Sequence, residues 1–531
     1  MTASHDTLPA FTLDAADGVR RSFPTGRHAL LCFVHEECQT CAMSMALIEQ
    51  THVAFGGAID VWAVGQDTPG NETLIERHGL TLPMLDDDEL WTSYNYDLLT
   101  VPAIYLAAPD GEQLDHFVGF GRDDWRALHG RLAGVSGLPA PDVDWDSYPE
   151  SRPGCGSRSV EPGIAERLTA EAEGNPLRAR RIEIAPLDDP NEFMFDQGFT
   201  DGLPVVEPTP ERVLRMLSGT KRDAQDIVAV VPPNMAPATV EKIAINSVMA
   251  GCRPEYLPVV IAALEAVCTD EFNIHGVMAT TMGATPVMVV NGPIRDRIGM
   301  NSGMSALGQG NRANASIGRA LRLVVRNVGG ARPGGTERSV LASPTKFTMC
   351  FPEFEERSPW APMHVERGFA ADESVVTVFA LVGGPHVLID QNSRSAHALA
   401  GSLGQGMASV GHPKTPGGDV LFIICPEHVD TIWRDGWSKE QIRDRIQEVT
   451  SRPVRELLRS EESGAGLPPA MFGADGPSEE DLNRLMPKFR STDNIHIVVA
   501  GGEAGKFSAV LAGWASGPGG SMPVSRKIEE V

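Results

Sequence analysis

The chain has 531 residues, 42% apolar and 22% charged, the composition of an ordinary globular protein of three domains or fewer. Its formal net charge of −25 argues against nucleic acid and anionic membrane as partners, because phosphate backbones reward basic surfaces. No run approaches the roughly 18 apolar residues a membrane helix needs. Val375 to Leu388 comes nearest, and Gly383-Gly384-Pro385 interrupts it.

The first residues have neither a basic stretch nor an apolar one, so no secretory signal is expected. Eight cysteines in so long a chain do not make a disulfide scaffold. A reducing cytoplasm is the expected location, and there a C-x-x-C is catalytic or metal-binding more often than structural.

Residues 28–35 read as a buried strand, followed by Cys38-Gln39-Thr40-Cys41 and a helix over 42–55. That order places Cys38 at a helix N-terminus, where unpaired N–H groups and the helix dipole favour a thiolate. Cys41, one turn further in, is placed to resolve a mixed disulfide. A strand over 59–64, a helix over 72–78 and a strand over 100–106 containing Pro102 come next. The turn Pro109-Asp110-Gly111 then leads into a strand over 113–119.

This succession resembles the thioredoxin superfamily, in its redoxin branch, over about residues 8–135. The resemblance implies that Pro102 is cis and lies against a redox-active dithiol. Two positions depart from the family's habit: Glu37 stands where Trp is usual and Thr40 where Pro is frequent. The acidic pair Glu36-Glu37 is expected to raise the Cys38 pKa and oppose the helix. The alternative reading of the dithiol is a zinc half-site, but no second cysteine pair with suitable spacing exists. His35 occupies the place of the peroxiredoxin threonine, so a peroxidatic role is not expected.

Residues 136–200 are rich in Pro, Gly, Asp and Ser and read as a linker. Within them Arg152-Pro153-Gly154-Cys155-Gly156-Ser157-Arg158 places a cysteine between glycines and arginines, expected to be mobile and to favour its thiolate. Cys155 is either a relay carrying electrons from the dithiol to a second site or an ordinary linker thiol.

From Asp201 onward strands alternate with helices, predicting an α/β domain over 201–531 with a mostly buried, mixed or parallel sheet. Strands are expected over 227–231, 287–290, 375–382, 420–425 and 495–499, and helices over 239–249, 256–268 and 314–328. Several strands run into loops such as Asn291-Gly292-Pro293, Gly383-Gly384-Pro385-His386, Pro426-Glu427-His428 and Gly501-Gly502-Glu503. Open α/β sheets collect ligands at such edges.

Gly501 to Ser508 superficially resembles a phosphate loop, but its spacing is short and Phe507 intrudes. Gly308 to Gly318, with Arg312 and Arg319, departs from the dinucleotide fingerprint and reads at most as an anion or cofactor cradle. Candidate substrate or cofactor residues are Cys252, His275, Asn301, Arg312, Arg319 and His386. Ser302, Cys350, Glu366 and Cys425 are further polar residues able to do chemistry. His275, His364, His386 and His428 are the candidate ligands for zinc or copper, although no H-x-x-x-H or H-E-x-x-H spacing links them. The cofactor itself is not specified.

Asp201-Gly-Leu-Pro-Val-Val, Gly251-Cys-Arg-Pro-Glu-Tyr, Val290-Asn-Gly-Pro-Ile-Arg and Asn314-Ala-Ser-Ile-Gly-Arg-Ala are similar to a bacterial family over about residues 195–440. That family is associated with selenoproteins carrying U-G-S-C, where U is selenocysteine. Cys155-Gly156-Ser157 matches the first three positions of that motif, with Arg158 in place of its last cysteine. The resemblance implies thiol or selenol chemistry coupled to the large domain.

The expected activity is a thiol-dependent oxidoreductase in which Cys38 and Cys41, relayed by Cys155, supply reducing equivalents to the large domain. The alternative is a metal-dependent lyase or hydrolase, acting on a C–S or related bond, with the dithiol as reductant or metal donor. A redox-responsive binding module is the third reading. Expected partners are a small-molecule substrate and a cellular thiol reductant, with no nucleic acid and no membrane; assembly as a homo-oligomer is left open.

Overall fold

Why Ala29–Val34 forms a central strand is plain from its composition: six consecutive small or apolar residues, every one buried, leave no polar face for a helix to expose. In a computed structural model of the chain, which describes residues 7–161, 164–172, 174–182, 184–185 and 187–529, this strand (β1) anchors the first of two compact units. The units divide between residues 182 and 183.

In unit 1, β1 is followed by α1 (Gln39–Phe55), β2 (Asp60–Gly65), α2 (Thr68–His78), β3 (Met84–Asp86), β4 (Ala103–Ala107), β5 (Gln113–Val118) and α3 (Arg122–Ser136). The sheet order is β3-β2-β1-β4-β5, with β1, β2 and β3 mutually parallel and β4 and β5 antiparallel. This is a thioredoxin-like arrangement. Phe33, Tyr96 and Tyr105 meet at ring-centroid separations of 4.9 to 5.8 Å in its core.

The unit does not end near residue 135. Ser151–Arg152 pairs with Phe120–Gly121, and Cys155–Gly156 pairs with Thr100–Val101, so the central part of the expected linker belongs to this fold. Composition misled here, because a segment rich in Pro and Gly can still be held by backbone pairing to a neighbour far away in sequence.

In unit 2 the main elements are α4 (Val240–Ala250), α5 (Leu257–Val267), β6 (Ala284–Asn291), α6 (Arg312–Asn327), β7 (Cys350–Pro352), β8 (Val375–Ile389) and α7 (Ala396–Gln405). They continue with β9 (Val420–Ile424), α8 (Pro426–Arg434), α9 (Lys439–Thr450), β10 (Ile495–Val499), β11 (Phe507–Gly513) and β12 (Val524–Lys527). The sheet is mixed, in the order β7-β6-β8-β11-β9-β10, and β12 pairs with the first part of β8. Only β6/β7 and β9/β10 are parallel pairs.

Alternate residues of β9 explain its unbroken apolar run. Phe422 and Ile424 enter one core with Leu399, Leu403, Ile432 and Ile446, while Leu421 and Ile423 enter another with Val287, Phe351 and Phe379. Both faces are covered, so neither set of residues is polar.

Ile227–Val231 is the expected strand, and it pairs with Ala236–Thr239 in a separate hairpin outside the main sheet. One expectation fails. Gly383-Gly384-Pro385-His386 is not a loop after a strand: β8 continues through it, with a register shift between Val382 and His386. Glycine and proline mark a bulge as readily as a strand end.

Candidate functional site

Cys38 caps α1 with extended backbone, and its sulfur accepts the Cys41 N–H at 3.4 Å. This is the position the order strand, dithiol, helix predicts. The peptide between Val101 and Pro102 is cis, and the Val101 carbonyl oxygen lies 3.5 Å from Cys38 Sγ, accepting from the thiol when it is protonated. Thus Cys38, Cys41 and Pro102 come together.

Cys155 joins them. It lies opposite Val101 in the short antiparallel ladder, which brings its side chain to the dithiol, where it is one of the groups that lower the Cys38 pKa. The surrounding segment is pinned at several points. Arg152 donates to Gln39 Oε1 at 2.6 Å, Thr40 Oγ1 donates to the Pro153 carbonyl at 2.8 Å, and Ser157 N–H donates to the Leu99 carbonyl at 3.1 Å. The buried Gln66 donates to Ser157 Oγ at 2.7 Å and accepts the Arg158 N–H at 3.1 Å. Arg158 pairs with Asp67 at 2.9 Å. Gly154 is required here, since a Cβ would stand 2.3 Å from the Val101 oxygen. The expected mobility of Cys155 is therefore corrected: its backbone is fixed while its side chain stays exposed.

The electrostatics follow from this convergence. Hydrogen bonds from Cys41 and Cys155, reinforced by the backbone N–H groups of Cys41 and Thr40, bring the Cys38 pKa down to about 4 despite its burial. Burial and the neighbouring Cys38 hold Cys41 well above the ordinary thiol range. Cys155 is raised as well, chiefly because it donates to Cys38. Two expectations are thereby overturned. Glu36 is bound to Arg77 at 2.6 Å and Glu37 projects into solvent, so the acidic pair does not raise Cys38. Nor does Arg152 make Cys155 a thiolate, because the side-chain interaction with Cys38, burial and the Cys38 charge together outweigh it. All eight cysteines are free thiols.

The candidate residues of unit 2 do not converge on one site. Cys252 is buried, and its pKa is pushed up to about 12 by that burial. Arg312 donates to the Gly251 carbonyl at 2.8 Å. Arg319 grips Asp201 with two bonds of 2.9 and 2.8 Å and donates to the Leu203 and Pro204 carbonyls, so its charge is neutralised within the fold. Asn301 Nδ2 donates to the Met304 carbonyl, while its backbone exchanges bonds with the Asn314 side chain. His275, on the short helix Ile274–Ala279, and His386, on β8, are exposed. His364 is fully buried. Among the described residues no group of three or more His, Cys, Asp or Glu is arranged to hold a metal ion. The four histidines considered for zinc or copper therefore form no such centre: they sit on separate elements, and no local spacing had linked them. No helix of the described residues is long and apolar enough to cross a membrane.

Three features that build the dithiol site were missed in the sequence: Val101, whose carbonyl faces Cys38, Gly154, and the anchor Gln66. The isolated glycine between Pro153 and Cys155 was the available signal for Gly154, since such a residue marks close backbone approach.

The fold of unit 1 and its sulfur cluster define a thioredoxin-like dithiol unit. Among solved structures the chain is similar to the thioredoxin domain of a thiol-disulfide oxidoreductase from Bacteroides vulgatus, at 19% identity, covering 25% of this chain and 99% of that one with a TM-score of 0.23. A secreted Mycobacterium tuberculosis disulfide oxidoreductase homologous to E. coli DsbE matches at 17% identity over 24% of this chain and 96% of that one, TM-score 0.21. StoA from Bacillus subtilis matches at 20% identity over 22% and 91%, TM-score 0.20. No protein-family model and no curated protein sequence matches the chain.

Proposed function

We propose that the chain is a thiol-disulfide oxidoreductase in which three cysteines act in series and unit 1 supplies reducing equivalents for chemistry in unit 2. One observation carries this reading: Cys38 is 0% exposed beside the Val101 carbonyl, whereas Cys155, directly across the ladder from Val101, is exposed. A substrate disulfide meets Cys155 first.

In the proposed sequence Cys155 passes its proton to the Cys38 thiolate as its sulfur attacks the substrate disulfide; one substrate sulfur leaves, taking that proton from Cys38, and Cys155 becomes a mixed disulfide facing a Cys38 that is a thiolate again. The Cys38 thiolate attacks the Cys155 sulfur, releasing the second substrate thiolate and forming a Cys38–Cys155 disulfide. Cys41 then attacks Cys38, leaving a Cys38–Cys41 disulfide and freeing Cys155. Two electrons have passed from the dithiol to the substrate, and a cellular thiol reductant restores Cys38 and Cys41. A reducing compartment such as the cytoplasm suits this cycle. The partial U-G-S-C likeness around Cys155 supports thiol chemistry at that residue and names no substrate.

The test is trapping. Cys41→Ser blocks the last exchange, so one equivalent of a small disulfide should accumulate the Cys38–Cys155 link, read by peptide mass spectrometry. Recovery of Cys38 bonded only to the reagent, with Cys155 still open to alkylation, would sink the series.

A further inference from the structure

Unit 2 holds a second set of side chains able to do thiol chemistry. Cys425 follows β9 directly and caps α8, so its sulfur stands at the carboxyl edge of the parallel pair β9/β10 and at a helix N-terminus. His428 lies one turn into α8 and is buried, and Ser508 reaches the same place from β11.

The hydrogen bonds fix how protons sit in this group. His428 Nε2 is 3.0 Å from the Asp390 carbonyl, which can only accept, so Nε2 carries a proton. That leaves Nδ1 as the basic nitrogen of the neutral ring. Ser508 Oγ lies 2.7 Å from Nδ1 and 3.7 Å from Cys425 Sγ, bridging the two. A proton leaving Cys425 through the Ser508 hydroxyl arrives at Nδ1, and every partner is then satisfied. Nδ1–H donates to Ser508, and the hydroxyl donates to the thiolate.

A buried thiol without such partners behaves otherwise. Burial pushes Cys252 and Cys268 up to about 12. Cys425 is buried too, yet its contacts with His428 and Ser508 more than offset burial and bring it below the ordinary thiol value. His428 is raised in turn, by Cys425 and by the Asp390 carbonyl and carboxylate.

We propose that Cys425, with Ser508 and His428 as its proton relay, is a second thiol active site that takes a low-molecular-weight disulfide or related sulfenyl compound. The size limit follows from an exposure of 3% at Cys425. The preference for sulfur follows from the Cys425 N–H, which donates to Ser508 Oγ at 3.2 Å and is not aimed at a developing oxyanion. Exchange at sulfur asks only for a thiolate and a proton for the leaving group. The Cys425 thiolate attacks one sulfur of the disulfide, the S–S bond breaks, and the departing thiolate is protonated from His428 through Ser508. Cys425 is left as a mixed disulfide, which an external thiol reduces.

The test uses the full chain carrying Cys38→Ser, so that its failure leaves the trapping experiment on unit 1 intact. The probe is 2-hydroxyethyl disulfide between pH 6 and 9, with each cysteine followed by peptide mass spectrometry under native conditions. Cys425 should gain one mercaptoethanol, at a rate that falls toward pH 6 less steeply than that of an ordinary thiol, while Cys252 and Cys350 stay unmodified. His428→Gln should slow the reaction at pH 6 by about tenfold or more and leave a rate that is still climbing at pH 9, as for a buried thiol without its relay. Ser508→Ala should shift the profile in the same direction and serves if the histidine variant does not fold. Modification of Cys425 no faster than of Cys252, or a pH profile unmoved by either substitution, would overturn the assignment.

Discussion

Cys155 lies directly across a two-residue antiparallel ladder from Val101, whose carbonyl oxygen is 3.5 Å from Cys38 Sγ. The strand that presents the cis-proline to the dithiol thus also presents the third cysteine, and one short stretch of backbone sets both distances.

The first prediction concerns ionisation. Thiolate absorbance should titrate with an apparent pKa of about 4 in the native, reduced chain, assigned to Cys38. Removing a donor in Cys155→Ala or Cys41→Ala should raise that value, the latter by more, since the Cys41 bond is the larger cause. Because the folded pKa lies below the unfolded thiol value of 9.0, Cys38 contributes stability that builds as pH rises from about 4 and is lost as pH falls back through it. Near and above the ordinary thiol pKa, the raised values of Cys41 and Cys155 work in the opposite direction. Unit 1 should therefore resist denaturant best between these limits.

A backbone test isolates the Cys155 ladder. In Gly154→Ala the new methyl would stand 2.3 Å from the Val101 oxygen and 2.5 Å from Thr100 Cγ2, so the segment must move. A cost of about 1–3 kcal/mol is expected, together with faster alkylation of Cys155 and an upward shift of the Cys38 titration. Loss of stability with both thiol readouts unchanged would show that the segment does not control Cys38.

His129 should contribute to acid sensitivity. It is buried against Trp125, Trp145 and Phe55, bonded to Thr51 at 2.9 Å, and burial brings its pKa down to about 4. The unfolded chain binds a proton there at a higher pH than the folded one. Stability from this group is accordingly full above the unfolded value of 6.5 and declines as pH falls toward about 4. His129→Leu should flatten the stability profile of unit 1 in that window, measured by urea unfolding at successive pH values.

Arg319 separates structure from ligand binding in unit 2. Its fork is occupied by Asp201 and two carbonyls, so Arg319→Ala should destabilise unit 2 by about 2–3 kcal/mol by leaving a partly buried carboxylate unpaired. Inorganic phosphate should leave the unfolding midpoint of the wild-type chain unchanged. A phosphate-dependent rise abolished in the variant would instead restore the anion-cradle reading.

What local pattern can encode is legible in the amino-acid sequence. The strand ahead of the dithiol, the helix capped by Cys38, and the buried strands Val420–Ile424 and Ile495–Val499 depend on periodicity and on residues a few positions apart. Which thiols matter is a different kind of question. Cys155 lies 117 positions after Cys38 in the numbering, and Ser508 is 80 positions from His428, so both meetings rest on sheet register and on chain segments returning from far away. The ionisation of Cys38 follows the same division. Sequence places it at a helix N-terminus beside two glutamates, but only the fold decides that Arg77 holds one of them and that the Cys41 and Cys155 side chains lower the pKa of the sulfur. Electrostatic effects depend on distance in space, which sequence spacing does not set beyond a turn or two of helix.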